Sequence, residues 1–284
     1  MAIEMRDDPA AYWEQEAGPK WVASREMLDL AMEPVSASIL AAAALRPGER
    51  VVDVGCGAGS LTLAAATAVG VDGEVLGLDV SRPLAAEASE RTASLESVTI
   101  AVGDAQVYAL SSAADAVVSR FGVMFFTDSV AAFRNLRAGM APGGRLVFAC
   151  WQGVDRNPWI TWPVAAIGDL APEPTGPSPY AGADEPGPFR FAKREFTARL
   201  LAEAGFEEPT FQSIEQDLAI AGSVDDIMGF VQHVGPLSRT LSAIEEAQRG
   251  AALARVRTYV QEHLDGGVMK RGAGWWVVSA RAPA

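Results

Sequence analysis

The sequence predicts an α/β fold: a doubly wound sheet of seven strands, mostly parallel, with a helical cap. Three observations predict it. The apolar stretch Val51-Val52-Asp53-Val54 runs straight into three alternating glycines, Gly55, Gly57 and Gly59, and a helical pattern follows. Strand and helix patterns then alternate through residues 50–151, which implies right-handed crossovers and a parallel sheet. Two later strand patterns, 208–220 and 274–281, are expected to form a hairpin-like pair with the last strand antiparallel, and the stretch between them, too long for a turn, to sit as a helical cap.

Residues 12–20 are polar and aromatic, with a break at Gly18-Pro19. Over 21–45 apolar residues recur at helical spacing, and Pro34 divides the helix or kinks it. Arg46-Pro47-Gly48-Glu49 is a turn. The strand 50–54 is continuously apolar, as a parallel strand buried on both faces should be. An alanine-rich helix over 61–69 leads to a second strand, 74–79, and a helix over 83–95 has proline in its favoured first turn. The third and fourth strands are 98–102 and 114–119. A helix over 128–140 ends at Pro142-Gly143-Gly144, and the fifth strand is 145–151. Beyond it lie a short helix (158–170), a loop dense in proline and glycine (172–188) and an amphipathic helix (193–204) closed by Gly205. The stretch 224–264 reads as two helices divided near Gly235-Pro236.

The net charge of −13 argues against a nucleic-acid partner, which would select a basic face. The two cysteines, Cys56 and Cys150, have no metal-ligand cluster around them, so no metal is expected. Residues 1–10 hold four charges and no apolar run, unlike a secretory signal. No apolar stretch approaches membrane-spanning length. The expectation is a cytoplasmic protein without a membrane span; a homo-oligomer is left open.

A chain stays bare of side chains through a sharp turn when a ligand must lie against its backbone. Glycine permits positive φ and close approach, and the N–H groups opening the next helix face the ligand. Ligands of an open parallel sheet bind at the carboxyl ends of its strands. The candidates are therefore Gly55 to Gly59, Asp79, Asp104-Ala105 and Ser119-Arg120. Asp79 stands where a carboxylate reaches ribose hydroxyls, and an ionised carboxylate is acceptor-only. It could instead cap a helix, and Asp104 could cap a turn. Asp53, buried at a strand end, needs a partner. Cys56 reads as a small loop residue. Arg120 pairs a carboxylate of the protein or of a ligand. Phe121, Met124, Phe125 and Phe126 read mainly as packing residues. Two aromatic groups, Tyr12, Trp13 and Trp21, and Trp151, Trp159 and Trp162, either close over the cleft or pin the cap to the sheet. His233 falls in the cap, where a general base could reach an acceptor; surface or structural roles suit it and His263 better.

The dinucleotide fingerprint wants G-x-G-x-x-G, but Ser60 fills the sixth place here. Asp53 to Gly59 reads acid-x-Gly-x-Gly-x-Gly, with Asp79 beyond. On these residues the sequence resembles the class I S-adenosylmethionine-dependent methyltransferases, in the small-molecule branch typified by ubiquinone- and menaquinone-biosynthesis enzymes. The resemblance covers 50–151, is loose over 189–206 and the last strand, and does not extend to the cap.

The resemblance implies S-adenosylmethionine as cofactor and a small-molecule acceptor as partner. Asp79 would accept from both ribose hydroxyls and Val80 would flank the adenine. Asp104 would bond the adenine amino group, and the backbone of Ala105 the ring. Asp53 would orient the glycine loop and the methionine amino group. Gly55, Cys56, Gly57 and Gly59 would line the cofactor with backbone, and Ser119 and Arg120 would hold its methionine end; Trp21 joins them. The expected division is an N-terminal helical segment contributing to the cap (1–45), a cofactor core (46–153), its continuation (154–222), a helical cap insertion (223–265) and a final core strand (266–284). The expected reaction is methyl transfer to an O, N or C nucleophile of a small apolar or aromatic metabolite, mainly by in-line positioning. The catalytic group is open among His233, Tyr12 and Arg120. The alternatives are a non-catalytic S-adenosylmethionine-binding or regulatory protein, and a nicotinamide-dependent oxidoreductase of similar fold.

Overall fold

The computed structural model describes residues 8–171 and 185–284. Residues 172–184 of the expected loop lie outside the described residues. Seven strands form one sheet: β1 (Arg50–Val54), β2 (Glu74–Asp79), β3 (Val98–Val102), β4 (Ala114–Arg120), β5 (Met140–Trp151), β6 (Glu207–Ala221) and β7 (Val268–Arg281). Their order is β3-β2-β1-β4-β5-β7-β6. The first five strands pair in parallel, and β7 runs antiparallel to both β5 and β6. The strand order reverses between β1 and β4, and that switch point opens the crevice that ligands of such sheets use. The glycine turn follows β1 there.

The helices are α1 (Pro9–Tyr12), α2 (Gly18–Ala23), α3 (Arg25–Ala43), α4 (Ser60–Val69), α5 (Arg82–Thr92), α6 (Ser129–Ala138), α7 (Pro158–Ile167), α8 (Arg194–Glu203), α9 (Val224–His233), α10 (Leu237–Ala243) and α11 (Glu246–His263). Four boundaries depart from expectation. Gly18-Pro19 does not break the chain: a π-helical turn, Trp13–Ala17, carries α1 into α2, with proline in the opening turn of α2. Pro34 neither divides nor ends α3. The carbonyl it leaves unpaired, four residues back, belongs to the exposed Leu30, where water can take the bond. Pro142-Gly143-Gly144 lies within β5: Met140 already pairs with Ala114, and the register shifts before Arg145. The stretch 224–264 forms three helices, not two.

The last strand begins at Val268, six residues before the expected start. Only Trp275 to Arg281 of β7 reach β5, whereas Val268 to Gly274 pair with β6 alone. The β6–β7 pair thus projects beyond the sheet as a two-stranded ribbon, and α9, α10 and α11 run between its strands.

Both faces of the sheet are covered. α3 crosses β4 to β7, and the Trp275 indole N–H donates to Ser38 Oγ at 3.1 Å. At the sheet's amino end, Arg145 meets Glu49 at 2.6 Å, and the Glu49 carboxyl sits below its ordinary pKa: burial raises it, but Arg145 and Arg46 together lower it by more. On the opposite face, fully buried Phe133 of α6 meets Phe126, Phe148, Phe191 and Phe206, with ring centroids 5.7–6.4 Å apart. Such arrangements add to area burial. Phe133→Ala should therefore lower unfolding stability by about 3–5 kcal/mol, read as a fall in the urea midpoint at unchanged slope.

Candidate functional site

The glycine turn is built by packing as well as by φ. Gly55, Gly57 and Gly59 have φ of +68°, +56° and +84°. A Cβ on Gly55 would lie 2.7 Å from Gly122 Cα, so β1 and the turn after β4 meet main chain to main chain. Gly59 opens α4 and packs on Ala88 of α5. Gly57 differs from both, because a Cβ there would enter open space.

Two adjoining chambers, about 210 and 270 Å3, flank this turn and share Gly55, Gly57, Arg120 and Phe121. The smaller-volume chamber, termed inner here, takes Asp53, Cys56, Tyr12 and the tryptophans 151, 159 and 162. The outer chamber takes Asp79, Val80, Asp104 and Ala105. Trp21 lines both. The expected residues that line neither are Gly59, Ser119 and His233. Ser119 is fully buried, donates its hydroxyl to the Val54 carbonyl at 2.7 Å and accepts from the Gly122 N–H at 3.2 Å, which fixes the turn rather than a ligand. His233 is exposed at the end of α9, and His263 packs on Tyr259 with ring centroids 4.0 Å apart.

Asp79 Oδ2 accepts the Gly57 N–H at 2.8 Å, and Oδ1 accepts the Ser81 N–H at 2.9 Å. Burial raises its pKa, and these bonds work against the rise. Asp104 accepts the backbone N–H of Gln106 on one oxygen and its side-chain amide on the other, at 2.8 and 2.9 Å. Asp53 is nearly fully buried. Its Oδ2 accepts the Thr62 hydroxyl at 2.7 Å, whereas Oδ1 has no partner. Burial pushes its pKa up to about 6, although Thr62 and Arg120 pull the other way. The Arg120 guanidinium, held by Ser36 Oγ at 2.9 Å, has its pKa lowered by burial and raised by Asp29 and Asp53. Both cysteines are free, and burial raises the Cys56 thiol well above its ordinary value.

The N-terminal segment roofs both chambers. Glu14 accepts the Arg82 backbone N–H at 2.7 Å and its guanidinium at 2.9 Å. Trp13 sets its ring edge-to-face against Trp21 at 5.1 Å and Phe125 at 5.2 Å. Phe121, expected as a packing residue, stacks on Trp151 at 3.9 Å with a backbone φ of +67°. Non-glycine residues seldom adopt that conformation, and it concentrates at functional sites. No sequence signal marks it. Arg239 and Ile160 also line the inner chamber without having been singled out.

An acid whose pKa rises on folding binds more protons folded than unfolded between the two values. For Asp53 the cost of ionisation is absent below about pH 4, the unfolded value, and fully present above about pH 6. Asp53→Asn should therefore stabilise the ligand-free protein at pH 7 by about 2–3 kcal/mol and flatten the loss between pH 4 and 6. Urea melts of both proteins across that range check this; parallel pH profiles would contradict it.

Residues 51–144 match the family model described as a methyltransferase domain. Nocamycin O-methyltransferase of Saccharothrix syringae is 28% identical over 82% of this chain and 85% of its own length. Demethylmenaquinone methyltransferase of Staphylococcus aureus is 36% identical, over 36% of this chain and 43% of that enzyme. The fold is shared with a crystal structure called a putative methyltransferase, from Bacillus halodurans (TM-score 0.55, 15% identity, 88% of this chain and 99% of that one). It is shared too with Haemonchus contortus phosphoethanolamine N-methyltransferase 2 (TM-score 0.57, 16% identity, 99% of this chain and 61% of that one). Residues 51–144 thus form a methyltransferase domain, and the resemblance to the small-molecule branch of the class I methyltransferases is borne out.

Proposed function

We propose that this methyltransferase moves the methyl group of S-adenosylmethionine to an oxygen, nitrogen or carbon nucleophile of a small, apolar or aromatic molecule. One observation carries the reading: the inner chamber takes both Asp53, whose buried Oδ1 has no partner among the described residues, and the bare main chain of Gly57, which also lines the outer chamber. An ammonium group would satisfy that oxygen; an apolar ligand would leave it stranded. The cofactor, when bound, supplies a methyl already activated by its sulfonium charge.

The chain's own residues do the rest by position. Asp79 holds one backbone N–H on each oxygen and keeps lone pairs for two ribose hydroxyls. Val80 and Ala105 frame the adenine, and Asp104, steadied by Gln106, faces its edge. Arg120 takes the carboxylate beside the ammonium held at Asp53. The segments 8–45 and 223–265 form a cap that keeps water from the acceptor, which matters because orientation can supply much of the barrier reduction. Tyr12 is the hydroxyl in reach on the inner chamber's wall; His233 has no place in this reaction. The acidity of the chain supports a small-molecule acceptor over nucleic acid. Among the described residues, no helix is long and apolar enough to cross a membrane.

Calorimetry with S-adenosylhomocysteine tests the site. Wild type should bind it, and Asp79→Ala should bind it at least about 30-fold more weakly, since two hydrogen bonds to a charged group are lost. Equal affinities would remove Asp79 from the site and with it the assignment of the outer chamber.

A further inference from the structure

The inner chamber has charges of its own, and all but one are spoken for. Arg25 pairs with Glu87 at 2.8 Å and Asp29 with Arg91 at 2.7 Å. Asp53 and Arg120 serve the cofactor end in the reading above. Arg239 of α10 remains, exposed on the cap side of the chamber, with no hydrogen bond, ion pair or ring contact among the described residues. The cap's other arginines are engaged: Arg249 with the Ile244 carbonyl, Arg255 with Asp169 and Arg257 with Asp225. In a chain with 36 acidic and 23 basic residues an anionic ligand needs a local cation, and Arg239 is the unengaged one on this chamber. The same chamber is lined by apolar groups: Phe230, Val231, Val234, Trp162 and the stacked Phe121–Trp151 pair.

We propose that the acceptor is an acidic aromatic molecule, and that Arg239 binds its anionic group while the aromatic walls take its rings. This rests on the methyltransferase reading of the same site and names the acceptor class within it. A carboxylate or similar oxyanion can bond the planar guanidinium through two parallel N–H donors. An anion entering these walls without a cation would lose its hydration unpaid. Arg239 therefore selects for charge, and the rings set shape. The neutral analogue of an acidic acceptor should enter the same chamber without discrimination between wild type and a variant lacking the guanidinium.

Two fluorescent probes with the same ring system test this: 8-anilinonaphthalene-1-sulfonate, which is anionic, and N-phenyl-1-naphthylamine, which is neutral. Each is titrated into full-length protein saturated with S-adenosylhomocysteine. Arg239→Gln should weaken the anionic probe about tenfold, the loss of one charged pair, and leave the neutral probe unchanged. Arg239→Lys should keep part of the anionic preference. Ile160→Trp, which fills the chamber, should lose both probes and so place them there. The proposal is overturned if wild type does not bind the anionic probe, if Ile160→Trp leaves its binding intact, or if Arg239→Gln changes its affinity by less than twofold or weakens both probes alike. Calorimetry on the same samples separates the two readings. If S-adenosylhomocysteine binds and the probes show no charge preference, only the acidic acceptor falls; if it does not bind, the methyltransferase reading itself falls.

Discussion

One hydrogen bond organises the crevice: the Gly57 N–H donated to the buried carboxylate of Asp79. It ties the turn after β1 to the end of β2, and the Asp79 backbone carbonyl in turn accepts the Gly103 N–H after β3. Three strand ends are thereby held in one register along one rim. A buried carboxylate is costly unless several donors converge on it, and here the donors are backbone groups of the loops it positions. The rim's geometry and the carboxylate's ionisation thus depend on each other.

Bare main chain is the second element of the same design. Gly55 and Gly122 approach so closely that neither admits a side chain, whereas Gly57 faces open space. The first contact is architecture, and the second is the surface proposed to bind the cofactor. Asp53 shows the matching strain in electrostatic form. Its orphan oxygen and raised pKa burden the ligand-free fold, as expected of a group placed for a cation that arrives with the cofactor.

The parallel half of the sheet was legible because buried parallel strands are near-continuous apolar runs. β1 and β2, largely buried, begin and end where that pattern does. β7 was legible only where it is sandwiched. Its first half, Val268 to Gly274, contains Lys270, Arg271 and two glycines and pairs on one edge only, so it lacks the apolar run that marks a central strand. Likewise, Pro142-Gly143-Gly144 reads as a loop because the register shift that absorbs it is a property of two strands together. The residues proposed for the cofactor side follow from strand ends and spacing. Those proposed for the acceptor side do not: Phe121 is marked by a backbone angle and Arg239 by having no partner among the described residues, and neither is written in a sequence pattern. His233 was attractive as a residue type, but its place at a helix end turns it to solvent.

The central claim is that an adenosyl ligand spans the two chambers across Gly57. A crystal structure with S-adenosylhomocysteine bound tests it most directly. Density should show both ribose hydroxyls on Asp79, the adenine between Val80 and Ala105, and the amino group on the free oxygen of Asp53. Density elsewhere on the surface, or a crevice left empty at saturating ligand, would contradict it.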